Sequence, residues 1–155
     1  MLVASGAGDT EYFGCAVAMS ADGSLALVGS FQDGASGTAA GSASVFLRSG
    51  TAWMEEATLL GAAPFDNLGS SVALSGDGSR ALVGAQNDDM GTVMDAGSAR
   101  VFVRTGTAWT QDATLLASDD AAMDHFGNAV ALSSDGSRAL VGAPSDDVAS
   151  VADAG

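Results

Sequence analysis

Residues 75–85, SGDGSRALVGA, decide the fold because the chain contains this segment three times. The other copies are SADGSLALVGS at residues 20–30 and SSDGSRALVGA at residues 133–143, so the copies begin at nearly equal intervals. A second segment, AGSASVFLRSGTAW, ends at Trp53 and recurs with nearly the same step as AGSARVFVRTGTAW, which ends at Trp109. Self-similarity with a period of this size is typical of repeat proteins.

The segment before each copy predicts the first strand of a repeat. Residues 13–20 alternate in side-chain size, and period-two alternation indicates a β-strand. One face carries Phe13, Cys15, Val17 and Met19, and the other carries Gly14, Ala16 and Ala18. A strand with one large and one small face suits sheets that stack face to face around a narrow axis. Cys15, on such a strand, is expected to be a small buried hydrophobe.

Three more strands are predicted in each repeat. The Asp-Gly pairs predict tight turns into a second strand, which covers residues 81–85 in the middle repeat. Segments rich in Val and Phe, and then the tryptophan segments, predict a third and a fourth strand. In the first two repeats these strands cover residues 42–48 and 53–60, and residues 98–104 and 109–117. Four antiparallel strands per repeat are typical of a β-propeller blade.

The predicted fold class is all-β, with β-propeller blades of four antiparallel strands and about two and a half blades, a partial propeller. The predicted segments are 1–12, the end of a preceding blade and its loop; 13–63, blade 1; 64–120, blade 2; and 121–155, the first half of blade 3. Propellers usually need at least four blades. We therefore expect either a piece of a longer propeller or a chain whose copies close a ring.

Composition limits the classes of function. Nineteen acidic residues face five basic ones, which gives a formal net charge of −14. This charge repels phosphate backbones and makes a nucleic-acid partner unfavourable, whereas cations or a basic partner fit it. No apolar run approaches the roughly 18 residues of a transmembrane helix. Residues 1–9 also lack the basic region and long apolar core of a signal peptide.

Residues 124–147, DHFGNAVALSSDGSRALVGAPSDD, resemble the FG-GAP repeat, the unit of the integrin α-subunit propeller and of many bacterial and algal surface proteins. The resemblance rests on Phe126-Gly127 and on the later Val-Gly-Ala-Pro at residues 141–144, and the repeats extend it over nearly the whole chain. It implies a β-propeller, usually extracellular, that works as a binding or adhesion platform.

The resemblance also raises the question of calcium. Integrin-type blades often carry a DxDxDG calcium loop between the first two strands, but this chain has one carboxylate there in each repeat, at Asp22, Asp77 and Asp135. Calcium takes six to eight oxygen ligands, so these aspartates are interpreted as turn residues.

Other acidic residues gather in the longer loops. If these loops meet on one rim of the propeller, their carboxylates are expected to hold Ca²⁺; the alternative is a set of solvated loop aspartates. The candidate ligands are Asp88, Asp89, Asp95, Asp146, Asp147 and Asp153, and Asp119, Asp120 and Asp124 lie in the loop before the third repeat.

Catalysis is not predicted. The Asp-Asp pairs recur between repeats, whereas a catalytic pair is normally unique, and no residues form a zinc cluster or a nucleophile elbow. His125 aligns with Tyr12 and Asn67 at a variable loop position. Trp53 and Trp109 occupy the same place in their repeats, which favours packing over a carbohydrate-stacking role.

The predicted function is therefore a non-catalytic binding, adhesion or scaffold segment of a larger cell-surface or secreted protein. Its partner is expected to be a protein or a glycan, and open blade edges are expected to allow self-association. The alternative is a ligand- or carbohydrate-binding propeller, or a carbohydrate-active one. Convergence of Phe31, Gln86 and Met90 on one pocket would favour that alternative.

Overall fold

The computed structural model describes residues 2, 11–119 and 121–147, and these residues form antiparallel β-sheets without helices. Sheet 1 contains β1 (Val17–Met19), β2 (Leu25–Ser30), β3 (Ser42–Ser49) and β4 (Ala52–Leu60) in that order. Sheet 2 contains β5 (Leu68–Leu74), β6 (Arg80–Ala85), β7 (Ser98–Thr105) and β8 (Ala108–Leu115). Sheet 3 contains β9 (Ala129–Leu132) and β10 (Ala139–Gly142). The predicted fold class is confirmed.

The first strand of the first repeat differs most from its prediction. The strand predicted over residues 13–20 is limited to Val17–Met19. Gly14 has a φ of 91°, and Cys15 N donates to Tyr12 O at 3.1 Å, so the chain turns before the strand begins. Cys15 was predicted to be buried, and this is wrong: its side chain is exposed, and Sγ donates to Gly69 O at 3.3 Å.

Each Asp-Gly turn is held by its own side chains. Asp22 Oδ1 accepts from Ser20 Oγ at 2.7 Å and from Ser24 N at 2.9 Å. These hydrogen bonds, first the one from Ser20, lower the pKa of Asp22 to about 2. Asp77 and Asp135 make the same pair of contacts in their own turns. The aspartates act as turn residues, because a carboxylate that accepts local N–H and O–H groups closes the turn.

The sheets stack with the large face of one against the small face of the one before it. Val72 and Leu74 of β5 share a buried cluster with Ala16 and Ala18 of sheet 1. The same arrangement joins sheets 2 and 3, where the members are Ala73, Val130 and Leu132. Stacking large side chains on small ones fills the space between sheets without voids, as close packing requires. The predicted large and small faces therefore meet.

Glycine allows the sheets to approach closely. A Cβ on Gly29 would lie 2.0 Å from Gly69 O, and a Cβ on Gly84 would lie 2.0 Å from Gly127 O. Gly69 and Gly127 follow the leucine or phenylalanine of the repeated pair and have φ values of 91° and 93°. The Phe-Gly and Val-Gly motifs thus meet each other across neighbouring repeats. The recurrence of glycine in both motifs has a steric cause, since a methyl group has no room there.

Candidate functional site

The long loops of the sheets lie at one end of the stack, which we call the loop rim (residues 11–12, 31–41, 61–67, 86–97, 116–119 and 121–128). Phe65 N donates to Thr38 O at 2.9 Å, and Met123 N donates to Met94 O at 3.0 Å. Asn87 N, in the loop after β6, donates to Asp66 O, just before β5, at 3.3 Å. The Asp-Gly turns lie at the opposite end and are also hydrogen-bonded to one another.

Large apolar side chains project from the loop rim. Tyr12 is 60% exposed, Phe65 62%, Met94 59% and Met123 56%. Tyr12, Phe65 and Met123 have φ values of 54°, 70° and 69°. A left-handed backbone costs a residue with a Cβ roughly 1–2 kcal/mol, and such strain clusters at functional sites. The loop rim is therefore the candidate binding surface of the chain.

Residues that differ between repeats line this rim. The Tyr12 ring packs on Phe31 with their centroids 5.0 Å apart. His125 Nδ1 lies 3.2 Å from Gln86 O. Met90 and Val93 exchange two backbone hydrogen bonds, which close a small turn within the loop. Phe31 and Gln86 thus follow the second strands of different repeats, and each lies beside the loop residue that precedes a Phe-Gly pair.

Asp88, one of the predicted calcium ligands, binds an arginine. Arg100 Nη2 lies 3.0 Å from Asp66 Oδ2 and 3.1 Å from Asp88 Oδ2, and Ser98 Oγ also donates to Asp88 Oδ2. The Arg100 and Asp66 side chains are only 6% and 3% exposed. Burial raises the pKa of Asp66, although the N–H of Ala63 and the Arg100 guanidinium both favour its charged form. This triad joins two loops of the rim to β7.

The side chain of Asp89 binds the backbone of Asp95. Asp89 Oδ1 accepts from Asp95 N at 2.9 Å, and Asp95 has a φ of 51°. Asp88, Asp89 and Asp95 therefore each have a role in shaping the loop between β6 and β7. Calcium at these residues stays a prediction.

A second group of carboxylates lies on the rim of sheet 3. Asp119, Asp124 and Asp146 each offer an oxygen, and these atoms lie within 4.8 Å of one another. Asp124 is 1% exposed, and its Oδ2 accepts from Ala121 N at 3.0 Å. Asp146 Oδ1 is buried and has no hydrogen-bond partner among the described residues. Burial, and then the charges of Asp119, Asp124 and Asp147, raise the pKa of Asp146.

These three carboxylates offer part of a calcium shell. They supply three of the six to eight oxygens that the ion takes. Of the predicted ligands of this repeat, Asp146 belongs to the group, Asp147 lies next to it, and Asp153 lies outside the described residues. Asp120 is outside them as well. Calcium at this group also stays a prediction.

Sequence reasoning did not identify the partners in the ion pairs that join β-strands to loops and sheets to one another. Arg104 and Trp109 of sheet 2 both bind Glu56, which lies on β4 of sheet 1. Trp109 also packs against the buried cluster between the two sheets, so the interpretation of a packing role holds. Glu56 and Asp112 follow the tryptophans of their repeats at the same interval, and that recurrence of an acid was the available signal.

Comparison with known families gives a match that extends over most of the chain. Residues 1–46, 53–102 and 109–155 each match the family model described as FG-GAP repeat. These matches follow the same period as the three sheets. No curated protein matches the chain. In the part of the chain that the structure describes, no helix is long and apolar enough to cross a membrane.

Proposed function

The chain belongs to the FG-GAP repeat family, and we propose that it is a non-catalytic β-propeller segment that serves as a binding, adhesion or scaffold element of a cell-surface or secreted protein. The family is generally non-catalytic and typically extracellular, and its repeats form binding and adhesion domains. These three properties support this function. The proposal assigns the binding role to the loop rim.

The observation that carries the proposal is the set of apolar side chains on the loop rim. Four large apolar residues are more than half exposed there, and they belong to loops of successive repeats. Exposed apolar residues that lie near one another indicate an interaction surface, and the hydrogen bond from Met123 N to Met94 O makes two of the four neighbours. The rigid stacked sheets hold the loops in place, as expected where binding residues lie on loops of a fixed scaffold. The four residues are Tyr12, Phe65, Met94 and Met123.

The charge of the chain favours a basic protein surface as partner. The formal net charge is −14, and an acidic residue is the sequence neighbour of each of the four apolar residues. A surface of one sign attracts a partner of the opposite sign and disfavours polyanions. A glycan is the second candidate, because the exposed Tyr12 ring and its neighbour Phe31 form an aromatic pair on the rim.

Self-association is part of the proposal, because the two ends of the stack carry complementary exposed faces. At the sheet 1 end, Val17 and Met19 of the large face are 70% and 60% exposed. At the sheet 3 end, Leu140 is 74% exposed beside the small residues Ala129 and Ala131. Light scattering of the purified chain measures this: we expect oligomers that Val17→Asp disperses, and a monomer at every concentration would remove self-association from the proposal.

The binding role is tested by selection against two probes, a phage-displayed random peptide library and a glycan array. We expect wild-type chain to select peptides rich in basic and apolar residues. The triple variant Tyr12→Ser, Phe65→Ser, Met123→Ser should bind these peptides at least about tenfold more weakly, because it loses most of the apolar contact area. Circular dichroism establishes that the variant is folded.

A matched control removes an exposed apolar side chain outside the rim. Met54, on β4, is 55% exposed and belongs neither to the rim nor to the faces proposed for self-association. Met54→Ser should leave peptide binding unchanged. If the selected peptides bind both variants equally well, the loop rim is not the binding surface. If only glycans are selected and binding depends on Tyr12, the carbohydrate-binding alternative replaces the protein-binding one.

A further inference from the structure

A row of uncharged side chains runs across the loop rim from the first repeat to the third, and we call it the neutral strip. Its members lie at two places in the repeat: directly after the second strand, and beside the Leu-Gly or Phe-Gly pair. With the histidine neutral, none of them carries a charge, although the chain contains nineteen acidic residues. The neutral strip consists of Phe31, Asn67, Gln86, Asn87, His125 and Asn128.

Asn67 connects the first repeat to the second. In the amide orientation that satisfies both of its ends, its side-chain nitrogen donates to Phe31 O at 3.1 Å and to Ala39 O at 3.2 Å. Its side-chain oxygen then accepts from Asn87 Nδ2 at 3.3 Å. Phe31 and Asn87 follow the second strands of different repeats, and one amide thus holds both of them.

Gln86 connects the second repeat to the third. Its Oε1 accepts from Asn128 Nδ2 at 2.6 Å, and its backbone O lies 3.2 Å from His125 Nδ1. A carbonyl oxygen can only accept, so in the neutral ring Nδ1 carries the proton and Nε2 is an acceptor. Because Gln86 directly precedes Asn87 in the chain, the contacts at the two junctions form one continuous row.

These contacts use only part of the hydrogen-bonding capacity of the strip. Among the described residues, no partner binds Asn87 Oδ1, Asn128 Oδ1, His125 Nε2 or Gln86 Nε2. The four side chains are all at least partly exposed. The strip therefore offers a ligand three acceptors and one amide donor group, and the hydrogen bonds between its members fix their directions.

One position of the strip keeps its backbone geometry while its side chain changes. The residue before the Leu-Gly or Phe-Gly pair is Tyr12, Asn67 or His125, and the three φ values are 54°, 56° and 55°. Glycine adopts such a conformation without strain, so a side chain at this place indicates a use for it. Different side chains on one fixed geometry are expected where loops on a rigid scaffold recognise a ligand.

The strip adjoins an aromatic surface in the first repeat. The rings of Tyr12 and Phe31 have their centroids 5.0 Å apart and their planes 34° apart, and Tyr12 is 60% exposed. The faces of a sugar ring carry C–H groups that pack on aromatic rings, and sugar hydroxyls both donate and accept hydrogen bonds. Ligand sites combine an apolar surface with a few fixed polar groups, and the strip has both.

We infer that the neutral strip is a binding site for an uncharged oligosaccharide, with one sugar ring on the aromatic pair and the following sugars hydrogen-bonded to the free groups of the strip. The inference rests on the proposed function in taking the loop rim as the binding surface. Phe65, Met94 and Met123 lie outside the strip and stay the site proposed for a protein. An acidic glycan does not fit, because the net charge of −14 repels it. A peptide is the competing occupant.

The test screens the full chain on an array of neutral and acidic oligosaccharides and measures the neutral ones that bind by calorimetry. We expect at least one neutral oligosaccharide to bind with a dissociation constant of about 1 mM or tighter, and no acidic one to bind. Gln86→Met keeps the length of the side chain and removes its amide, so it should weaken binding roughly threefold to tenfold, as the loss of one hydrogen bond does. Phe31→Ala should weaken it at least as much, because the aromatic surface is lost.

The matched control is Gln111→Met, the same replacement on β8, where Gln111 is exposed and its Nε2 donates to Thr114 Oγ1. It should leave sugar binding unchanged. A second measurement needs no variant: in NMR spectra, the side-chain amide signals of Gln86, Asn87 and Asn128 should shift when the bound oligosaccharide is added, and those of Gln111 should not.

The inference is overturned if no neutral oligosaccharide binds, if Gln86→Met and Gln111→Met bind the sugar equally well, or if the amide signals of the strip do not shift. If selected peptides shift those signals and sugars do not, the strip is a peptide site and the inference is also overturned. Selection of peptides without any sugar would leave the proposed protein-binding role standing. Binding of a sugar on the strip by a chain that selects no peptide would support the inference and contradict that role.

Discussion

Arg104 of β7 binds Glu56 of β4 through two parallel hydrogen bonds, with Nε 2.7 Å from Oε1 and Nη2 2.6 Å from Oε2. The pair joins two neighbouring sheets. It exists because a β-bulge leaves Glu56 unpaired in its own sheet: Val45 pairs with Ala57 and Phe46 with Glu55. The bulge redirects the side chain, as bulges commonly do. Trp109 Nε1 adds a third hydrogen bond to Glu56 Oε1 at 3.0 Å.

Glu56→Gln should destabilise the chain by about 2 kcal/mol at neutral pH, because charged hydrogen bonds to Arg104 are lost. The hydrogen bond from Arg104, the largest cause, lowers the pKa of Glu56 below its ordinary 4.5. The folded-state pKa lies below the unfolded one, so this stabilisation is complete above pH 4.5 and disappears as the pH falls through the lowered pKa. Urea unfolding of both chains across this range checks the prediction.

The control for Glu56 is Asp112→Asn, which changes the corresponding bulge residue of sheet 2. Asp112 is 57% exposed and its described ion pair spans 3.6 Å, so its replacement should change the free energy of unfolding by less than about 0.5 kcal/mol. Equal losses in the two variants at neutral pH would show that the contact between sheets contributes nothing beyond the charge removed.

Gly84→Ala should destabilise the chain by about 3 kcal/mol or more, because a Cβ would lie 2.0 Å from the backbone oxygen of Gly127. Gly142 occupies the same position one repeat later, and the nearest atom to its added Cβ is 3.7 Å away. Gly142→Ala should therefore be tolerated. Thermal unfolding of the two variants makes the comparison, and similar losses would mean that the sheets are not packed this closely in solution.

Arg100→Met should destabilise the chain by about 3–5 kcal/mol, since it leaves Asp66 and Asp88 without their cation. Burial already raises the pKa of Asp66 above 3.8, and removal of Arg100 raises it further. An acid with a raised folded-state pKa is most favourable below its unfolded pKa and costs stability as the pH rises. The variant should therefore recover stability near pH 3.8 and below. Adding Asp66→Asn and Asp88→Asn to the Arg100→Met variant should restore part of the lost stability at neutral pH, because no unpaired carboxylate is then buried. Urea unfolding at both pH values makes the measurement.

Calcium is tested by titration with CaCl₂, followed by calorimetry. If the sheet 2 loop binds calcium, as the sequence predicts, Asp88→Asn with Asp89→Asn reduces calcium uptake; because Asp88 already binds Arg100 and Ser98, we expect this reduction to be the smaller of the two. Asp146→Asn with Asp147→Asn should reduce calcium uptake more, because Asp146 belongs to the group of three close carboxylates. Unchanged uptake in the second variant would remove these residues as ligands.

The fold could be predicted from the sequence because its signals are local and repeated. The Asp-Gly turns and the alternation of large and small residues recur in each copy, and local hydrogen bonds such as the one from Ser20 to Asp22 hold the turns regardless of the rest of the chain. The start of β1 was placed too early, because the turn at Gly14 depends on its backbone conformation and not on side-chain size. The burial of Cys15 was predicted wrongly for the same reason, because it assumed that this residue lies within the strand.

The candidate site depended on tertiary structure. The acidic residues of the third loops were visible in the sequence, but Asp66, Asp88 and Arg100 are brought together from a connection, a loop and a strand as many as 34 residues apart. Whether an aspartate faces an arginine, a serine or another aspartate depends on which strand edges and loops meet, and periodicity carries no information about that. The sequence by itself determined the repeat, its strands and the stacking of large faces on small ones. Only the tertiary structure decided which carboxylates are neutralised by an arginine, as Asp66 is, and which lie among other carboxylates, as Asp146 does.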